Sequence, residues 1–337
     1  MRLQRIAAVF GVAAVLLSGA TACTRTPIVA IPSVSQTAGD TPLRVGTPAV
    51  PDGGVPLEGE LLANVYAAAL NAAGLSAVVT PEDAADPTLL SQLESGAVDI
   101  MPGYSSTFLE GLTPASPAAS STTSATSSTT MSSAAKEPVS GSQVLDALKK
   151  ALPPYVSMAN ATSAEDDDSI VVTTVTAEKY QLKTIADLAK VCDKLVFGGS
   201  AEFRTKDRGL SVLASDYNCV PQSYEELAST KSELLLALLR ADVQVADIHS
   251  SSPAITDNAL VVLADTKQVF RPQTVVPVLS SKKVSDDVTG VINKVSAALN
   301  NDALTNLNRL SMDSHFGSMS EVATAWLVEV GLVKATS

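Results

Sequence analysis

MPGYSSTFLEGL, residues 101–112, places Tyr104 at the end of an apolar run, with hydroxyls at Ser105, Ser106 and Thr107 behind it. A phenol and adjacent hydroxyls can hydrogen-bond a polar solute, and the ring can face a cation. Further on, AEDDDSIVV sets Glu165, Asp166, Asp167 and Asp168 in a row before a β-branched run. The glycine and distal bidentate glutamate of a calcium loop do not accompany that row. AEFRTKDRG holds Lys206 among Arg204, Asp207 and Arg208, ADIHS holds His249, and RPQTVVPV holds Gln273. Taken one at a time, each of these reads as a strand end or a solvated mixed-charge surface. Gly198-Gly199-Ser200 follows a strand but lacks a phosphate-binding glycine pattern. No HExxH or GxSxG is present, and the two histidines, His249 and His315, have no ligand spacing between them or to the cysteines. The chain therefore reads as a non-enzyme with no metal and no cofactor.

These residues must be positioned by ordinary elements. The chain has 337 residues, 46% hydrophobic and 4% aromatic, enough for one large or two ordinary domains. A net charge of -12, with no basic stripe, excludes nucleic acid as a partner. Strand 43–48, a helix with Leu61, Leu62, Val65, Tyr66, Ala69 and Leu70 at helical spacing, strand 75–80, a short helix and strand 98–104 make a β-α-β-α-β unit. The Ser/Thr/Ala/Pro tract at 113–138 interrupts it and has the composition of a disordered insert. Alternation resumes with a helix at 142–151, a strand at 169–175, a helix at 184–192 and a strand at 194–199. Two more helices and a strand at 242–250 follow. LVVLAD, VVPVLSS and the C-terminal helices close the pattern. Ser318 and Glu321 have capping-box spacing before a helix with Val322, Ala323, Trp326 and Leu327 on one face. The expected fold class is α/β with largely parallel sheets in two lobes.

MRLQRIAAVFGVAAVLLSGATAC opens with Arg2 and Arg5, continues with an apolar stretch too short for a membrane span, and ends in small residues before Cys23. This resembles a bacterial lipobox with Ala20 where leucine is usual. It implies a lipoprotein signal peptide over 1–22, diacylation of Cys23, and a tether over 23–42. In an exported protein the remaining cysteines, Cys192 and Cys219, are expected to pair in a disulfide.

The order GELLANVYAAALNAAGL, LESGAVDIMPGYSSTFLEGL, AEKYQLKTIADLAKVCDKLVFGGSAEF, QVADIHS and DNALVVLADTK resembles the glycine betaine/choline family of substrate-binding proteins, of the ProX-like lipoprotein type found in actinobacteria. The resemblance covers about 43–332. It implies a type II periplasmic-binding-protein fold with hinge crossovers and an interlobe cleft. Lobe I would hold 43–106 and 250–337, lobe II 107–249, with the first hinge at PGYSST. It also implies an extracytoplasmic, lipid-anchored monomer on the outer face of the plasma membrane, serving the permease of an ABC importer. The cargo would be an osmoprotectant such as glycine betaine, choline, carnitine or proline.

Carried over position by position, the family's ligand-binding residues fall on Tyr104, Thr107, Asp168, Lys206, His249 and Gln273. Of the family's tyrosine box only Tyr104 keeps its ring. Loss of the π surface that holds trimethylammonium leaves altered cargo open, a sugar or polyphenol-like ligand, and also a surface interaction role without transport.

Overall fold

The computed structural model describes residues 41–82, 88, 90–112, 140–227 and 232–334. The signal peptide, Cys23, almost all of the tether and the 113–138 tract lie outside the described residues. The strands are β1 Leu43–Gly46, β2 Ala77–Thr80, β3 Ile100–Tyr104, β4 Val156–Met158, β5 Ile170–Thr173, β6 Val196–Gly199, β7 Ser223–Glu226, β8 Val245–Asp247, β9 Leu260–Val262 and β10 Val275–Ser280. They form two five-stranded sheets, ordered β2-β1-β3-β10-β4 and β7-β6-β8-β5-β9. In each sheet the βαβ strands pair in parallel and the returning strands pair antiparallel. The apolar run VVPVLS of β10 is buried at every position, as a central strand covered on both faces requires.

Each sheet has its own core. In the first, the helix Glu58–Ala72 buries Leu61, Leu62, Val65, Tyr66, Ala69 and Leu70 against the helices Asp286–Ala298 and Met319–Glu329, with Trp326 at the centre. The second core gathers Ile170, Leu188, Phe197, Leu213 and Val245 around the Cys192–Cys219 disulfide, whose Cα atoms are 5.3 Å apart. Among the described residues no helix is long and apolar enough to cross a membrane.

The lobe boundaries differ from those expected. β4 pairs with β10, so the helices Ser105–Leu112 and Gly141–Ala151 belong to the first lobe, where Phe108 and Leu148 share a cluster with Val276. β9 pairs with β5, so the second lobe extends past 250. The chain first crosses at 165–169, not at PGYSST. Strand pairing overrides the boundary because a sheet's ladder cannot be split between two bodies.

Three stretches meet at the crossing. Asp166 N donates to Gln273 O (3.1 Å), Ser250 N to Asp167 O (2.9 Å) and Ile248 N to Ser169 O (3.0 Å).

Two local expectations are also corrected. The strand expected over 169–175 stops at Thr173, whose hydroxyl accepts from Thr176 N and caps the helix Thr174–Tyr180. Ser318 caps Met319–Glu329, but Glu321 reaches back to Gly317 N rather than completing a box.

Candidate functional site

Asp166, Asp167 and Asp168 alternate sides along an extended stretch, and this alternation organises everything around them. Asp166 and Asp168 face His249, and Asp167 faces the other way, onto Gln273. Asp166 Oδ2 lies 3.0 Å from His249 Nδ1, and Asp168 Oδ1 lies 3.5 Å from Nε2. Nε2 is also 3.0 Å from the carbonyl oxygen of Asp52, on the first-lobe loop. Both ring nitrogens therefore meet acceptors, an arrangement that suits an imidazolium. Burial disfavours that charge, but Asp166 and Asp168 outweigh it and hold the His249 pKa well above its ordinary value.

Lys206, just past the helix Ala201–Thr205, donates to Asp168 Oδ1 at 2.6 Å. Burial opposes ionisation of Asp168, yet hydrogen bonds and charge from His249 and Lys206 keep its carboxyl below the usual range. Burial likewise works against the Lys206 ammonium, and Asp168 raises its pKa regardless.

On the other side, Gln273 N donates to Asp167 Oδ1 (2.6 Å) and Gln273 Nε2 donates to Thr107 Oγ1 (3.0 Å). Gln273 Oε1 accepts from the backbone N–H groups of Ser106 and Thr107 at the start of Ser105–Leu112. Burial lifts the Asp167 carboxyl to about 7.

Tyr104 has its ring in the first core and donates its hydroxyl to Glu58 Oε1 at 2.5 Å. Glu58 is buried and also accepts from Ser251 Oγ (2.8 Å) and Asn308 Nδ2. Ser251 Oγ stands 2.6 Å from Asp166 Oδ1 as well. The Ser251 hydroxyl has one proton to share between the two carboxyls, an arrangement that a proton on Glu58 relieves. Glu58 is suited to it: burial, with Asp166 adding, raises its pKa to about 8. Leu57, immediately before it, has φ +69°, a strained conformation for a leucine. That turn starts the helix with Glu58 inward.

The six predicted positions are thus one connected cluster. Tyr104 joins through Glu58, Ser251 and Asp166 to His249, Asp168 and Lys206, and Thr107 joins through Gln273 to Asp167. Glu58, Asp166, Ser251, Asn308 and Asp52 were not among the predicted residues. Nor was Asp247. It is buried at the end of β8, and among the described residues neither carboxylate oxygen has a hydrogen-bond partner. Burial and the charge of Asp168 push its pKa well up, while His249 and Lys206 oppose.

A salt bridge also ties the lobes at the surface, where Arg271 meets Glu110 (2.6 Å) of the first lobe and Asp207 (3.4 Å) of the second.

Residues 57–329 match the OpuAC family, the substrate-binding domain of ABC-type glycine betaine transport systems. The chain belongs to that family. It is a substrate-binding domain of the glycine betaine transporter class, whose members are extracytoplasmic, bind small solutes and work with an ABC importer. Among solved structures, a glycine betaine/carnitine/choline ABC transporter protein superposes with a TM-score of 0.69 at 17% identity, over 85% of this chain and 98% of the other. Apo YehZ from Escherichia coli gives 0.65 at 19%, over 87% and 100%. Lactococcal OpuAC, closed on glycine betaine, gives 0.51 at 12%, over 86% and 96%. At these identities the likeness establishes the fold, the two-lobed type II periplasmic-binding architecture.

Proposed function

We propose that the chain is the solute receptor of an ABC importer and that its two lobes close on a small polar or cationic solute held around residues 166–168. The observation that carries this reading is the connected cluster. Residues distant in sequence, Tyr104, Thr107, Asp168, Lys206, His249 and Gln273, are linked through one acidic stretch at the place where the chain passes between lobes. Hinge closure with contacts from both sides is the usual way such a protein selects its closed state. The acidic groups favour an ammonium-bearing or zwitterionic solute, and the basic pair Lys206 and His249 offers a partner for its carboxylate or hydroxyl.

The protein acts as a monomer, held to the outer face of the membrane by lipid on Cys23 and handing its cargo to a permease. Replacement Cys23→Ser would release it from the membrane fraction, and retention there would contradict the anchor.

A thermal-shift screen tests the receptor reading. Its panel is glycine betaine, choline, carnitine, proline, ethanolamine, putrescine, simple sugars and phenolic glycosides. A solute at 100 times its Kd adds about 2.7 kcal/mol of stability, readily visible as a higher Tm. No shift from any member would overturn the reading.

A further inference from the structure

Every cation at the crossing is matched except around one carboxylate. His249 sits on Asp166, and Lys206 sits on Asp168. Asp247 is left over, 3% exposed, with both oxygens shut away from solvent and unpartnered among the described residues. Its position is interlobe. A Cβ built on Gly199, in the second lobe, would touch Asp247 Cβ at 3.4 Å, and one built on Gly53, in the first-lobe loop, would come 3.9 Å from Oδ2. Main chain at two glycines therefore approaches this carboxylate, with the His249 ring and the Tyr224 hydroxyl beside the same glycines. Gly53 also has φ +94°, so the loop can come this close only with glycine there. Tyr104, the ring kept from the family's box, is committed to the first core and to Glu58.

A buried carboxylate needs donors, and it has up to four lone-pair sites to fill. A quaternary ammonium brings none, since it has no N–H to donate and is held instead by π faces. Resting on the receptor reading above, we propose that Asp247 anchors a subsite for a small ammonium ion carrying N–H donors, a primary, secondary or tertiary amine, and that closing the lobes brings that cation and Asp247 together out of water. The cargo class that this carboxylate favours is then an amine.

The test is calorimetric titration of the protein with choline, N,N-dimethylethanolamine and ethanolamine, one skeleton with none, one and three N–H donors. Glycine betaine serves as the reference. The expected ranking puts at least one N–H-bearing probe tenfold or more tighter than choline. Asp247→Asn, which keeps the shape and replaces the acid with an amide, should erase that preference and raise the Tm of the protein without added solute. The wild-type ranking stands as a test even if the variant folds poorly. Choline or glycine betaine binding as tightly as the amines, or amine binding unchanged in Asp247→Asn, overturns the amine subsite and leaves the receptor reading intact. Binding of a sugar or phenolic with no amine bound does the same. If nothing in the wider screen binds, the receptor reading fails and the subsite fails with it.

Discussion

Glu58 shows how one buried side chain can govern a whole cluster. Its carboxyl takes the Tyr104 hydroxyl on one oxygen and Ser251 and Asn308 on the other. Tyr104→Phe removes the donor to Oε1 and leaves a buried acceptor unpaired, a loss of about 1–3 kcal/mol. Denaturant unfolding should show it, and an unchanged midpoint would mean the Tyr104–Glu58 bond contributes nothing. The sequence gives little warning of Glu58, because an acid in the first turn of a helix ordinarily faces solvent and complements the dipole. Asp247 was more legible than it looked. Val245, Asp247 and His249 share one side of an alternating strand, so an acid there lies in line with a core valine and a candidate site histidine. The same alternation splits Asp166 and Asp168 from Asp167. The resemblance singled out Asp168, but had no means of finding its neighbours Asp166 and Asp167, whose partners lie about 80 residues or more away.

At the scale of elements, hydrophobic periodicity and βαβ alternation made the longer helices and central strands readable in advance, but not β4, β7 or the helices Ser105–Leu112, Thr174–Tyr180, Ala201–Thr205 and Pro253–Asp257. The lobe boundary was not readable, because it depends on which strands pair. β4 is only three residues long, and its sequence, VSM, carries no sign that it will add to β10. The crossing that results is narrow, and Arg271 braces it between Glu110 and Asp207. Exposed ion pairs are worth roughly 0.2–1 kcal/mol, so Arg271→Ala should favour the open arrangement modestly and weaken solute binding about two- to fivefold. Small-angle scattering of the variant should give a larger mean radius than the wild type. Equal radii and equal affinity would show that the bridge is ornamental to closure.

For the molecule as a whole, the cluster makes stability depend on pH in a definite direction. Glu58, raised to about 8, and Asp167, raised to about 7, bind protons in the folded state that the unfolded chain releases above its ordinary carboxyl range. His249, raised well above its usual value, adds stability that is complete below about 6.5 and is lost as pH rises through its folded pKa. All three act the same way between pH 5 and 8, where the folded state holds more protons and stability falls as pH rises. Asp168, whose pKa is lowered, acts oppositely, but only in the acid range where it becomes protonated. Thermal melts at pH 5.5 and 8.5 should show the higher Tm at 5.5, and Glu58→Gln should reduce the difference. A higher Tm at 8.5 would contradict the proton assignment. Each kcal/mol moves Tm by about 2–4 °C in a protein of this size class, so the effect is measurable.

In the receptor reading a small solute is held where Asp168, Lys206 and His249 meet. Its most direct test is calorimetric titration of the solute that gives the largest thermal shift, against the wild type and Lys206→Ala. One-to-one binding to the wild type and at least tenfold weaker binding to the variant, about 1.4 kcal/mol, are expected. Equal affinity in the two proteins would place the solute elsewhere and contradict binding at Lys206.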